Sequence, residues 1–585
     1  MCGIAGYISH NKYYNESKIA KTIHHRGPDE FGYSRVNNAS IINTRLSIID
    51  IAHGQQPFIS EDENVYVVQN GEIYNFVELK EELESLGVNF NTNSDTEVLL
   101  RGYIQWGHSF VEKLNGMFAI AIIDKRNNKL FLYRDRLGVK PLFYVKNDKD
   151  LFFSSELKTF KAIDGLDLSL DKSSLYKFLI YNYIPVPFTI FKDVYHVMPG
   201  EYLEIDLSNS EITSRKYWDL SNTKEIEISE DQLMDQIDDL LIDATKIRLR
   251  SDVPVATFLS GGLDSSMICA IMKKISNQAF DTFSIGFDDS RFDESPYAKE
   301  VSDLLGLNNI LTIMKDDDVE LWEKVTFFND QPHGDISFIP TYVVAKKAAE
   351  NYKVVLTGDG GDEAFGGYEK YRDSLKYDVE DENYFNSISL FHEDSDIFKN
   401  LLNQDFHHMI ENKIGFNDYK ERISNFSEYD NINKAIAFDV KNLLPGNNLV
   451  KPDRMGMANS LEARSPMLDY RLYELMFKTS GKFKISKDGE TKNTLKKLAL
   501  KYLPNDIVYR KKQMFTVPIG EWFKDRKSSE LKLLSQSSRL KNLGMFNMNV
   551  LDEMINDHIA SKKNYTRELR AIMNIDIWLK AFGYE

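Results

Sequence analysis

The sequence has almost no cysteine. Its two, Cys2 and Cys269, lie too far apart for a disulfide framework or a zinc pattern, which fits a reducing compartment. Long apolar runs are missing as well: no stretch is long and uncharged enough to cross a bilayer, and no basic segment precedes an apolar run at the N-terminus. A cytoplasmic location is expected. Positive charge is in short supply. The 72 lysines and arginines face 89 aspartates and glutamates, for a formal charge of -17 and a pI near 5.3, which argues against a broad nucleic-acid or anionic-membrane surface. Phosphate binding must then be local. The Walker pattern G-x-x-x-x-G-K-[ST] is absent too, which excludes simple γ-phosphate transfer on that loop. No internal repeat or low-complexity tract interrupts the chain. At 67.7 kDa it exceeds what one hydrophobic core usually serves, so two or more domains are expected.

What is present centres on residues 254–266. Val255 to Leu259 reads as a buried strand leading into Ser260-Gly261-Gly262-Leu263-Asp264-Ser265-Ser266. Small and hydroxylated residues between a strand and a helix let backbone N–H groups close around phosphate oxygens, and the helix N-terminus adds partial positive charge. Beyond Pro254 strand and helix alternate. Asp281–Gly286, Asn309–Ile313 and Lys353–Thr357 read as further strands, which predicts a parallel sheet with ligands at the carboxyl ends of its strands. A second polar loop, Gly358-Asp359-Gly360-Gly361-Asp362-Glu363, falls there. Its acidity repels naked phosphate, so Asp264 and Asp362 are candidates to hold Mg²⁺ between loop and phosphates. Cys269, among Met267, Ile268, Ile271 and Met272, reads as core. Glu462 and Arg464 fit a structural ion pair as well as a ligand contact.

The N-terminal half carries a second constellation. If Met1 is removed, Cys2 bears a free α-amine with a reference pKa of about 7.7–8.0, suited to take a proton from a thiol near 8.5. Nucleophile and base are then one residue. Val65–Gln69 reads as a strand that ends at Asn70-Gly71-Glu72, where an amide and a backbone N–H could face a developing oxyanion. Arg45 heads an alternating segment, and Asp95 starts a helix after Ser94 or binds an amine. Further strands are expected at Met117–Asp124, Leu130–Arg134, Leu142–Tyr144 and Leu151–Ser155, with Asn127-Asn128 as a hairpin turn.

Together Met1-Cys2-Gly3-Ile4, His25-Arg26-Gly27-Pro28-Asp29, Arg45-Leu46-Ser47, Asn70 to Asn75, Ser94-Asp95 and Asp135-Arg136-Leu137-Gly138 resemble the class II glutamine amidotransferase domain. The loop S-G-G-x-D-S-S looks like that of the ATP pyrophosphatases, and the whole chain is similar to the glutamine-hydrolysing asparagine synthetase family. The resemblance implies an α/β protein: an N-terminal αββα sandwich of the N-terminal-nucleophile type, then a parallel-sheet ATP-pyrophosphatase domain with added helices. The expected division is 1–160 amidotransferase, 161–236 a connecting segment partly packed on it, and 237–585 the ATP-dependent domain.

Carried over onto this chain, the resemblance assigns Cys2 as nucleophile and Asn70 and Gly71 as the oxyanion hole. Arg45 takes the glutamine carboxylate, with Glu72 and Asp95 near its ammonium, as the charges of a zwitterion require. ATP falls to Ser260, Gly261, Gly262, Asp264, Ser265, Ser266 and Thr357, with Leu259, Ile285 and Gly358 around adenine and ribose. Lys492 stabilises charge at the activated intermediate, and Asp359 is the candidate base. The shorter enterobacterial-type members have glutamate at that position, so Asp359 withdraws a proton acceptor by about one bond length. The implied reaction makes asparagine from aspartate through an acyl adenylate; the same chemistry on a uronic acid for surface polysaccharide is the alternative. Expected partners are therefore small molecules, glutamine, ATP and aspartate or another carboxylate, with no nucleic acid or membrane, and a homodimer is compatible. Apolar residues at the domain join should line an enclosed ammonia passage.

Overall fold

The structure is a computed structural model that describes residues 2–223, 225–335, 337–511 and 528–585. The run Val517-Pro518-Ile519-Gly520-Glu521-Trp522, by which the chain resembles the longer bacterial members, and Lys512 of the basic run Arg510-Lys511-Lys512 lie outside the described residues. Twelve strands make the first domain in chain order: β1 (Cys2–Ile8), β2 (Glu30–Val36), β3 (Ala39–Arg45), β4 (Phe58–Ile59), β5 (Val65–Ile73), β6 (Gly116–Asp124), β7 (Lys129–Arg134), β8 (Phe143–Asn147), β9 (Asp150–Ser154), β10 (Val194–His196), β11 (Glu201–Asp206) and β12 (Ile212–Lys216). They form two six-stranded antiparallel sheets, ordered β10-β8-β9-β1-β3-β2 and β12-β11-β7-β6-β5-β4. The alternation read from the sequence drives this stacking. Ile4, Ile8, Ile41, Val68, Ala119 and Leu132 all point into the layer between the sheets and are buried there. Strands β10 to β12 come from residues 194–216, so part of the segment after residue 160 completes both sheets.

Asn70-Gly71-Glu72 does not end its strand. β5 continues to Ile73, with Gly71 paired to Phe118 of β6. The sequence suggested a stop because asparagine and glycine favour turns. Here φ at Gly71 is +150°, and an added Cβ would stand 2.0 Å from the Met117 carbonyl oxygen, so glycine is what lets the strand pass.

The second domain holds a five-stranded parallel sheet, ordered β15-β14-β13-β16-β17, from β13 (Val255–Phe258), β14 (Asp281–Phe287), β15 (Asn308–Met314), β16 (Val354–Leu356) and β17 (Glu462–Arg464). The chain winds outward from β13 to β15, then returns to place β16 on the other side of β13. That reversal opens a crevice at the carboxyl ends of β13 and β16. Strand β17 was not foreseen. Glu462-Ala463-Arg464 reads as a charged segment, yet both charged side chains are buried and pair with each other at 2.5 Å. Among the described residues no helix is long and apolar enough to cross a membrane.

Candidate active sites

Cys2 opens β1, where its strand pairs Cys2 with Arg45 of β3. Its backbone N–H donates to Asn70 Oδ1 at 3.4 Å across the gap between the sheets, and Asn70 Nδ2 donates to Ser155 Oγ at 3.3 Å. Burial pushes the Cys2 thiol pKa up; the chain-terminal ammonium, the Leu46 N–H, Arg45 and Asn43 pull the other way. The Arg45 guanidinium donates to Glu30 Oε2 at 2.8 Å and to the carbonyls of Ile49 and Asp50 at 2.9 and 2.8 Å. Asp95 begins the helix Asp95–Trp106, capped by Ser94. It accepts from Gln69 Nε2 at 2.6 Å and from the Ile73 N–H at 3.1 Å, bracing β5.

Glu72 is buried 3.4 Å from Arg464 Nη2 of the second domain. Burial and then Glu462 hold its carboxyl well above the usual range, and Arg464 works against them. Beside it runs a sealed ionic seam between the domains. Arg26 donates to Asp453 Oδ1 and Oδ2 at 2.9 and 2.8 Å, to Glu156 Oε1 at 3.0 Å and, through Nε, to the Cys2 carbonyl at 3.1 Å. Lys140 reaches Asp453 at 3.3 Å, and Arg454 bridges Glu156 and Asp330 at 2.8 and 3.1 Å. Burial alone would neutralise Asp453, but Arg26 and Lys140 outweigh it and lower its pKa to about 2. Pairs this dry persist because each member satisfies several others.

Two cavities of about 20 Å³ each adjoin the seam and share Val139, Leu449 and Asp453 in their walls; such a volume holds one water-sized molecule. The first touches Phe143 and Arg134, the second Thr357 and Asp359. The walls are mixed, not simply apolar, because Asp330, Asp453 and Arg454 of the seam line the first and Lys140 and Asp453 the second.

In the crevice of the parallel sheet the Ser260 loop folds as a cradle. Gly261 has φ +74°, and an added Cβ would meet backbone atoms of Tyr297 and Ala298 at 2.6 Å. The following helix Leu263–Ser276 starts at Gly262 with no side-chain cap, which leaves first-turn N–H groups for an anion. Ser260 and Ser265 hydroxyls bond at 3.1 Å. Asp264 and Asp362 converge on one point, held by Lys492 Nζ at 2.5 and 2.7 Å. Burial opposes charge on Lys492, but the two carboxylates outweigh it and raise its pKa above the usual lysine range. Lys492 takes a left-handed backbone, φ 55°, ahead of the helix Asn493–Ala499. Around this point a Cβ on Gly358, Gly361 or Gly367 would strike Asp264, Asp362 or Lys492 at under 3.0 Å, which explains the run of glycines. Two carboxylates aimed at a cation position suit a hard, oxygen-ligated Mg²⁺.

The sequence matches the Asparagine synthase family profile over residues 236–580 and the Glutamine amidotransferase domain profile over 1–218. The chain belongs to the asparagine synthase family. Asparagine synthetase [glutamine-hydrolyzing] 1 of Bacillus subtilis (strain 168) is 33% identical, aligned over 99% of this chain and 96% of its own. Asparagine synthetase [glutamine-hydrolyzing] 3 of the same organism is 31% identical over 93% of each.

Within this asparagine synthase framework the sequence-expected residues fall into two groups. Cys2, Asn70, Gly71, Arg45, Glu72 and Asp95 all lie on or against the facing strands β1, β3 and β5. Ser260 to Ser266, Thr357, Gly358, Asp359, Asp362 and Lys492 gather at the crevice, and Leu259 and Ile285 are buried at the ends of β13 and in β14. Asp359 is tied through its carbonyl to Ser465 Oγ at 2.6 Å. Sequence reading missed Ser155, the whole Glu156–Asp330–Asp453 seam and Arg510. Arg510 Nη2 donates to the Gly261 carbonyl at 2.6 Å, and its guanidinium stacks on Tyr297 at 3.7 Å. The Arg-Lys-Lys run was the available signal, but nothing local says which cation folds onto the phosphate loop.

Proposed function

We propose that this asparagine synthase family member is a glutamine-dependent amide ligase that forms asparagine from aspartate. The observation that carries this reading is the pairing of two separate centres, Cys2 in the sandwich and Lys492 between Asp264 and Asp362, across a sealed seam with water-sized cavities.

With Met1 removed, the nitrogen now bonded to Asn70 Oδ1 becomes the α-amine of Cys2. It takes the thiol proton as sulfur attacks the glutamine carboxamide, and returns it to the departing ammonia. The Gly71 N–H and the Asn70 amide stabilise the oxyanion once the amide turns from Ser155. Arg45 meets the substrate carboxylate, Glu72 its ammonium; Asp95 acts one step back, holding β5 straight. The thioester left on Cys2 is then hydrolysed.

In the second domain the uncapped helix start and Arg510 bind the phosphates of ATP, and the acceptor carboxylate attacks the α-phosphorus to release pyrophosphate. Asp264 and Asp362 would hold Mg²⁺, which supplies neutralising charge at the phosphates. Lys492 stays protonated beside them and stabilises charge that builds on the phosphoryl oxygens. Ammonia then attacks the acyl adenylate and AMP leaves, with Asp359 placed to take the extra proton. Released into water, ammonia would protonate and lose its lone pair; the two cavities between Phe143 and Asp359 support a passage across the seam.

The test is pyrophosphate release from ATP and Mg²⁺ with glutamine, comparing aspartate with a panel of uronic acids. Aspartate-dependent release with asparagine detected by mass supports the reading; release with a uronic acid alone moves the acceptor and overturns it.

A further inference from the structure

Lys451 and Asp335 form a cross-segment pair whose lysine feels the charges of the Gly358–Gly367 loop. Asp335 ends the segment 330–335, propped by the C-terminal helix Thr566–Ala581, whose Arg570, Asn574 and Trp578 recur at four-residue spacing and share a face. Trp578 Nε1 donates to the Asp330 carbonyl at 2.8 Å and Asn574 Nδ2 to the His333 carbonyl at 2.6 Å. On the other side is a one-turn π-helix, Leu444–Asn448, followed by the helix Val450–Met457 that carries Lys451. π turns of this kind concentrate at functional sites.

Lys451 Nζ stands 4.0 Å from Asp335 Oδ2, and the two side chains are 24% and 29% exposed. That separation is too long for a hydrogen bond, so the pair is loose and reachable. The seam beside it is the reverse: Arg454 and Asp330 are 3% and 1% exposed and in direct contact. Asp335 is held in place by the Ser337 N–H and hydroxyl at 2.8 and 2.7 Å. The Lys451 ammonium also feels Asp359, Glu363 and Asp362, which sets it next to the reacting loop. Behind the pair, Arg570 adds its charge to Asp335, and the His333 ring is hydrogen-bonded by Asn447 and the Gly446 backbone of the π turn.

We propose that Lys451 and Asp335 are the acceptor's specificity determinants, clamping the α-carboxylate and α-ammonium of an α-amino dicarboxylic acid while its other carboxylate lies toward Asp359. The inference rests on the amide-ligase reading above. An α-carboxylate and α-ammonium are joined through one carbon, so they need a cation and an anion side by side, as this loose pair provides. A uronic acid offers neutral hydroxyls there and would leave both charges with each other.

Pyrophosphate release with ammonium chloride, ATP and Mg²⁺ tests it without the amidotransferase centre. In the native protein aspartate should outperform malate, which has hydroxyl for ammonium, by about a hundredfold in kcat/KM. Lys451→Met should raise KM for aspartate by about ten- to a hundredfold with KM for ATP unmoved, and Lys451→Arg should recover most of it. Asp335→Asn should narrow the preference for aspartate over malate to a few-fold, with thermal unfolding of each variant recorded alongside. An unchanged KM for aspartate in both variants overturns the clamp while sparing the ligase reading, as does a shift in KM for ATP instead. Release with a uronic acid but not aspartate overturns the clamp and keeps the ligase chemistry; no release with any carboxylate overturns both.

Discussion

The two centres are built in opposite ways. Around Cys2 the functional groups sit on paired strands, so register sets their spacing: Cys2 faces Arg45 across one ladder, and Asn70 faces Ala119 across another. Around Lys492 they sit on loops and helix starts, several in left-handed backbone, with φ 74° at Gly261, 89° at Gly360 and 55° at Lys492. Strands hold one geometry well, which suits a centre that handles one small substrate. Loops yield, which suits the reaction proposed above, in which this centre admits ATP, an acceptor and ammonia in turn and releases pyrophosphate, AMP and the amide. The seam of Arg26, Glu156, Asp330, Asp453 and Arg454 joins the rigid centre to the pliant one.

The largest expected effect separates the centres completely. Cys2→Ala should abolish glutamine-dependent synthesis, a loss of about a thousandfold or more, while synthesis from ammonium salts persists; equal loss of both would show that the centres are not separate. Asp453→Asn attacks the join. It leaves Arg26 and Lys140 short of a buried counter-charge and should cost about 3 kcal/mol or more in urea unfolding; a change within error would show the seam to be slack. Asp264→Asn should cut pyrophosphate release by about a hundredfold and spare glutamine hydrolysis, and collapse of hydrolysis would mean that damage crosses the seam.

Smaller effects probe the pliant centre. Arg510→Met should reduce kcat/KM for ATP by about tenfold or somewhat more, since it removes one charge-assisted contact from the phosphate loop. Glu363 concerns pH. Burial and then Asp362 raise its pKa from 4.5 to about 7, so the folded state holds a proton that the unfolded chain has lost. Its contribution to stability is therefore full below pH 4.5, falls as pH rises toward about 7 and is flat above. Glu363→Gln should remove that slope from unfolding measured between these limits, and an unchanged slope would place its source elsewhere.

The rigid centre was the more legible. Short apolar runs bounded by turn residues predicted β6, β7, β8 and β9 to within a few residues, because strands such as β6, buried on both faces, are apolar at successive positions. β17 escaped for the converse reason: Arg464 pairs with both Glu462 and Glu72 in a buried strand, so polarity gave the wrong cue. The phosphate loop was readable since its backbone requires glycine at defined positions. Lys451 and Asp335 carried no signal at all, being a single lysine and a single aspartate 116 positions apart in an acidic, lysine-containing chain.

The sequence by itself determined the local pattern: a cysteine at the second position, a glycine-and-serine loop between a strand and a helix, and the order of strands and helices that commits each half to antiparallel or parallel sheets. These depend on neighbours along the chain, and short-range sterics and periodicity suffice to read them. Only the tertiary structure decided which charges meet. Arg26 with Asp453, Glu72 with Arg464, Lys492 with Asp264 and Lys451 with Asp335 are separated by 116 residues or more, and a charge acquires its role from what burial brings within a few ångströms of it.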